Sequence, residues 1–167
     1  GVDTLLSAWS AGPGDGDLRL TVIGDGPLKP ELRPAAPPNV AWTGWLDRSE
    51  IQQRLARARA LVMPSELYET FGMVLVEAMC AGLPVIVTSA AGAAEIVEPP
   101  TPLLVPPHDP RRLARAIERL RDDGFVDEIG AANRARYLAR YTESVGVREL
   151  EHLYDAAVSR HAGTGDR

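Results

Sequence analysis

The sequence predicts an α/β protein: a parallel sheet with helices on both faces. Three observations carry that expectation. Short apolar runs near 18–23, 40–44, 60–63, 84–88 and 103–105 alternate with stretches of helical periodicity. The segment between the third and fourth runs keeps apolar residues at 71, 74, 75, 78 and 79, the i, i+3, i+4, i+7, i+8 rhythm of a helix. Gly24, Gly44, Pro64 and Ser89 each follow a strand directly, so in a parallel sheet their loops share one edge.

Taken in order, a helix is expected near 3–10. Gly12-Pro13-Gly14-Asp15-Gly16-Asp17 then reads as a mobile surface turn before the first strand. Lys29-Pro30-Glu31-Leu32-Arg33-Pro34-Ala35-Ala36-Pro37-Pro38 has three prolines in its second half, which cannot continue a long helix, so that connection is short or irregular. Helices are expected near 48–59, 70–81, 110–121, 127–141 and 144–160, with a short helical turn after Gly92. The 70–81 helix starts near Thr70 and stops at Gly82, with Pro84 beyond it. Residues 163–167 should fray. There is no internal repeat, and 167 residues make one domain large enough to bury its own core.

The chemistry concentrates in Ser65-Glu66-Leu67-Tyr68-Glu69-Thr70-Phe71-Gly72-Met73-Val74-Leu75-Val76-Glu77-Ala78-Met79. Strand, polar turn, glycine, helix: that order presents bare N–H groups and a positive dipole end to an anion. Glu69 and Glu77 bracket that end. Eight helical steps of about 1.5 Å separate them by roughly 12 Å. The paired carboxylates of a glycosidase sit about 5 to 9.5 Å apart, so that chemistry does not fit. The spacing suits two hydrogen-bonding groups at opposite ends of an extended ligand with an anion between them, as in a nucleotide diphosphate sugar. On residue type alone the plainer reading is favoured: Glu69 is a first-turn acid that the dipole attracts, and Glu77 a solvated helix residue.

A family resemblance reverses that balance. Pro64-Ser65, Glu69-Thr70-Phe71-Gly72, Glu77-Ala78-Met79 and Gly82-Leu83-Pro84-Val85-Ile86 stand in register with the signature of retaining, nucleotide-sugar-dependent glycosyltransferases. These have two Rossmann-like domains (the GT-B fold, glycosyltransferase family 4, group 1 glycosyltransferases). Ile23-Gly24-Asp25-Gly26-Pro27 resembles the family's strand and Gly-x-Gly-Pro turn, and Thr43-Gly44-Trp45-Leu46 its base-contacting turn. Ala91-Gly92-Ala93-Ala94-Glu95-Ile96-Val97 resembles its Gly-Gly-x-x-Glu-Ile-Val turn, with Ala91 replacing the first glycine. Val105-Pro106-Pro107-His108-Asp109 resembles Val-x-Pro-Gly-Asp, with His108 where glycine is usual. The likeness covers residues 1 to about 123, and residues 124–167 suit the family's C-terminal helices.

The resemblance implies roles. Backbone N–H groups of Phe71, Gly72, Met73 and Val74 would face the diphosphate, with the Phe71 side chain in the core. Glu69 would contact the donor sugar, as the candidate catalytic residue, and Glu77 the ribose. Gly24 and Gly26 would let the backbone approach the ligand closely, the alternative being a plain turn. Trp45 and Leu46 stand where the family meets the nucleobase, although core or domain-interface packing suits a large apolar Trp45 equally. Gly92 and Glu95 would flank the sugar, unless Glu95 only caps a helix. The family also places an Arg and a Lys just before the glycine that opens the first helix, and an N-terminal domain with the acceptor pocket before that. Here the sequence starts at Gly1, so a donor-binding domain without its N-terminal partner domain is expected.

Composition narrows the field further. Net charge of −5 and a pI near 5.2 argue against a nucleic-acid footprint. No run of 18 apolar residues is present to span a membrane, and no signal-like leader opens the sequence, so cytoplasm is the expected compartment. The arginine-rich 111–121 helix carries Asp109, Glu118, Asp122 and Asp123 with it, which favours a solvated face over a membrane anchor. In the full enzyme a peripheral membrane contact would more usually fall in the other domain. Cys80 cannot form an internal disulfide and should pack as a small hydrophobe. His108, His152 and His161 do not cluster, so no metal site is expected and no cofactor beyond the nucleotide sugar as substrate. His108 reads as a surface loop residue. The expected activity is hexosyl transfer from a nucleotide diphosphate sugar to a hydroxyl, without metal. A nucleotide-sugar 2-epimerase of the same fold and a non-enzymatic flavodoxin-like module are the rival readings.

Overall fold

The structure is a computed structural model that describes residues 1–67, 71–90, 96–97 and 103–162. Strands β1 (Leu20–Ile23), β2 (Val40–Gly44), β3 (Leu61–Met63), β4 (Val85–Thr88) and β5 (Leu104–Val105) alternate with helices α1 (Val2–Ser10), α2 (Lys29–Ala35), α3 (Arg48–Leu55), α4 (Met73–Cys80) and α5 (Pro110–Glu118). Helices α6 (Asp123–Arg140) and α7 (Glu143–Ala162) follow. Short 3-10 turns stand at Pro13–Asp15 and Arg119–Arg121.

Every ladder is parallel, as the alternation of elements requires. Among the described residues the ladder is nonetheless in two pieces, β1–β2 and β3–β4–β5, where a single sheet is expected. Helices cover both faces. On one side Leu5, Ala8 and Trp9 of α1 and Leu113, Ala116 and Ile117 of α5 pack against Ile86, with Leu20, Val40 and Val62 joining from both pieces. On the other side Leu55, Leu75, Ala78 and Met79 of α3 and α4 pack on Met63, Val85 and Val87. Alternating residues of β4 thus serve opposite layers, and all four are buried.

Three elements depart from expectation. The proline-rich connection is short, as expected, yet it holds a seven-residue helix, α2, absent from the expected helices: Pro30 lies in its first turn, where no intrahelical amide is needed, Pro34 stands inside it, and it ends at Ala35 before Pro37 and Pro38. The glycine-rich turn at 12–17 is tied down rather than mobile. Arg121 Nη2 donates to Pro13 O at 3.1 Å, Asn39 Nδ2 donates to Gly14 O at 2.7 Å, and Pro13 is buried. Helix α3 stops at Leu55 instead of running to 59. The Arg59 side chain has to reach the Leu120 carbonyl and Asp123, and the chain turns there into β3.

Candidate functional site

Loops from the carboxyl ends of the strands build one rim, as the sequence predicts. Beyond β1 and β2, Gly24 N donates to Gly44 O at 2.8 Å. Both glycines need positive φ there, 115° and 73°, which keeps side chains out of the turn. Asp25 closes the next turn: Oδ1 accepts from Gly26 N at 2.9 Å and Oδ2 from Lys29 Nζ at 2.8 Å. The Lys29 ammonium beside it, then the Gly26 amide, hold the Asp25 carboxyl below its ordinary pKa. Beyond β3 and β4, Thr88 Oγ1 donates to the Ser65 carbonyl, and Ser89 N donates to Val105 O at 2.8 Å.

The centre of the rim is the start of α4. Gly72 is buried and takes φ 69°, ψ 62°, so the helix begins at Met73 rather than Thr70. A left-handed residue cannot be part of a right-handed helix. Gly72 O accepts the Leu75 amide at 2.8 Å, and the amides of the first helical residues point off the tip. Met73 is 62% exposed there, whereas Val74 packs toward the core. At the far end Gly82 stops the helix as the sequence predicts. Gly82 N donates to Met79 O and Leu83 N to Ala78 O, both at 3.0 Å, which is a Schellman closure.

Glu77 lies one turn along α4 with its side chain 27% exposed, and its Oε1 is 4.0 Å from Arg48 Nε at the start of α3. Leu46 is half-buried in the turn that leads to α3. Trp45 is 82% exposed, which excludes core packing within this chain. Phe71 also departs from its expected core place: it is exposed at 46% and meets Tyr141 edge to face, ring centroids 6.3 Å apart. Gly72 is what turns it outward, since its reversed backbone separates Phe71 from the buried stripe that begins at Leu75. Glu69, Gly92 and Glu95 lie outside the described residues.

Other rim residues were not singled out from sequence. Lys29, the one lysine of the chain, comes near Gly44 through its bond to Asp25; the i, i+4 spacing of Asp25 and Lys29 was the available signal. Arg48 carried none. Glu66 is 13% exposed, and its carboxylate accepts from Thr4 Oγ1 and lies 3.0 Å from His108 Nδ1. His108 is thus engaged although it stands on a surface loop, and its φ of 56° explains why glycine is usual at the matching place in the family. Cys80 is half-buried with Arg134 Nη1 3.1 Å from its Sγ, a polar setting rather than the apolar one expected. Among the described residues, no three of His, Cys, Asp and Glu converge as metal ligands, and no helix is long and apolar enough to cross a membrane.

A strand-end rim whose middle is a helix tip behind a left-handed glycine places the chain among Rossmann-like α/β proteins. Comparison makes the assignment narrower. A family model described as "Glycosyl transferases group 1" matches residues 1–123, and the chain belongs to that family. The 2-deoxystreptamine N-acetyl-D-glucosaminyltransferase of Streptomyces fradiae is 34% identical over 168 residues, 96% of this chain and 39% of that protein. Sucrose-phosphate synthase from Thermosynechococcus elongatus superposes with a TM-score of 0.80 at 29% identity, covering 96% of this chain and 43% of that one. Anabaena HepE in complex with UDP-glucose gives 0.79 at 26% identity, covering 93% and 45%. The fold is therefore that of one Rossmann-like half of a GT-B glycosyltransferase. The chain spans less than half the length of the curated relatives it matches.

Proposed function

We propose that the whole protein moves a hexosyl group from a nucleotide diphosphate sugar to an acceptor hydroxyl with retention, and that this chain is its donor-binding half. The observation that carries the reading is the α4 tip, where Gly72, which has no side chain, precedes the first helical amides, Met73 is 62% exposed and Glu77 stands a turn behind. A pyrophosphate at that tip meets aligned dipoles, while Glu77 accepts hydrogen bonds from the ribose diol. UDP-glucose in the HepE complex supports a nucleotide sugar as the ligand class.

In this reading the bond from the anomeric carbon to the diphosphate oxygen breaks, and its electron pair stays on the departing diphosphate. Amides of Met73 and Val74 stabilise that charge. The acceptor hydroxyl adds on the face the diphosphate leaves, and its proton passes to the departing phosphate oxygen. Glu69, from its place in the motif, touches the donor sugar, with Gly92 and Glu95 flanking it. Gly24 and Gly26 allow close backbone approach, and Trp45 and Leu46 stand at the base. The Arg and Lys that the family places before the position of Gly1 would supply positive charge to the diphosphate, and the reading requires no metal. The N-terminal domain of the same enzyme holds the acceptor, and the cytoplasm supplies the donor.

A thermal-shift panel of UDP, GDP and ADP sugars tests the assignment. One nucleotide class should raise the melting temperature, and Glu77→Ala should abolish that rise. Absence of any shift, together with no heat in calorimetric titration, would leave a non-enzymatic module as the better account.

A further inference from the structure

Glu66 stands early in the connection from β3 to α4, and two other segments grip its carboxylate. Thr4, in the first turn of α1, donates through Oγ1 to Glu66 Oε1 at 2.5 Å. His108 Nδ1, in the connection from β5 to α5, lies 3.0 Å from Glu66 Oε2. The Gly1 amino group, at 3.8 Å, is beyond hydrogen-bond reach. The residues beside the contact are anchored in turn. Thr88 Oγ1 donates to the carbonyl of Ser65, just before Glu66. Asp109, just after His108, caps α5 by accepting from Arg112 N at 2.9 Å.

Both residues of the Glu66–His108 contact are poor choices for folding alone. The Glu66 side chain is 13% exposed, and a carboxylate that loses so much water is costly unless hydrogen bonds replace it. An apolar side chain would fill the place without that penalty. His108 takes φ 56°, where a residue with a Cβ is strained and glycine is not. Its imidazole is 71% exposed, so burial does not compensate. Two local penalties meet at one contact. Residues kept against local preference concentrate where a site needs a fixed geometry.

We propose that Glu66 and His108 are positioning residues that brace the β3–α4 connection against α1 and the β5–α5 connection, and so fix where the α4 tip stands on the rim. Glu66 is the hub, because its two oxygens accept from two different segments. His108 supplies a point of support that glycine at the same place would lack. The braced connection leads through Gly72 into α4, so it sets the place of the Met73 and Val74 amides. Neither side chain has to touch the ligand; both act through the backbone that meets it. The consequence for binding rests on the donor-binding reading, whereas the brace itself does not.

The test compares the parent chain with His108→Gly, Glu66→Gln and the double variant. Three quantities are measured: thermal melting, the amide chemical shifts of Met73 and Val74 without ligand, and calorimetric titration with UDP-, GDP- and ADP-glucose. His108→Gly should melt no lower than the parent, since glycine suits φ 56°. It should nonetheless shift both amides and weaken nucleotide-sugar binding roughly threefold to tenfold. That opposition separates positioning from plain support of the fold. Gln offers one acceptor oxygen in place of two, so Glu66→Gln should move the same amides. The double variant should bind no worse than the weaker single one, because both changes break one contact. Unmoved amides in both single variants overturn the proposal, as do losses that add in the double variant. Unchanged affinity for a sugar that the parent binds overturns it too, as does a loss of affinity in His108→Gly matched by a lower melting temperature. Should the parent give no heat with any of the three sugars, the donor-binding reading fails. The amide shifts then decide the brace alone, by the same criterion.

Discussion

Gly72 shows how one backbone angle can set what a helix offers a ligand. At φ 69° a side chain adds strain of about 1–2 kcal/mol, so Gly72→Val should lower stability by that order and abolish any nucleotide-dependent thermal shift. Glu77→Ala separates the two effects. Its contact with Arg48 is exposed at 4.0 Å and contributes at most about 1 kcal/mol, so the unliganded melting temperature should barely move while the ligand-induced rise disappears. Asp25 makes a pH prediction. Lys29 and the Gly26 amide depress its pKa in the fold, so its contribution is present above the ordinary carboxylate value and is lost as pH falls below about 4 toward the depressed one. Titration by NMR should show Lys29→Ala returning Asp25 toward that ordinary value.

In the proposed reading the tip of α4 meets an anion, so the helix must be held at the right depth, and α6 packs against it from behind. Asn133 Nδ2 donates to the Leu83 carbonyl at 2.8 Å in a buried position. Gly130 lies so close that a Cβ would overlap Gly82 O, the backbone oxygen of the helix stop. Asn133→Ala should cost about 1–3 kcal/mol by orphaning that carbonyl. Gly130→Val should cost about 1–3 kcal/mol by forcing the two helices apart, with weaker nucleotide binding. Urea denaturation of both variants, followed by titration at low denaturant, measures the two consequences separately. Loss of stability without loss of affinity would show that α6 supports the fold but does not set the site.

For the molecule as a whole, two parallel ladders share one helical layer, and the site belongs to the edge where their loops meet. In the proposed reading the 167-residue chain should bind nucleoside diphosphate weakly and transfer no sugar by itself, whereas the longer protein should bind the nucleotide sugar and transfer its sugar. Sugar transfer by the purified chain, followed as release of nucleoside diphosphate with acceptor present, would refute that division of labour.

The element order, the parallel direction, the Gly82 stop and the motif at residues 64–86 were legible because each depends on local chemistry. Periodicity, proline and glycine act over a few residues and leave their mark in the string itself. The outward turn of Phe71, the exposure of Trp45, the Glu66–His108 contact and the break in the ladder were not. Each depends on which distant segments arrive beside which, and no periodicity encodes that. The amino-acid order alone determined the family, the layered α/β plan and a helix tip suited to an anion. Tertiary structure alone decided which residues line that tip and where the sheet remains open, because hydrogen-bond pairing and exposure are properties of neighbours in space.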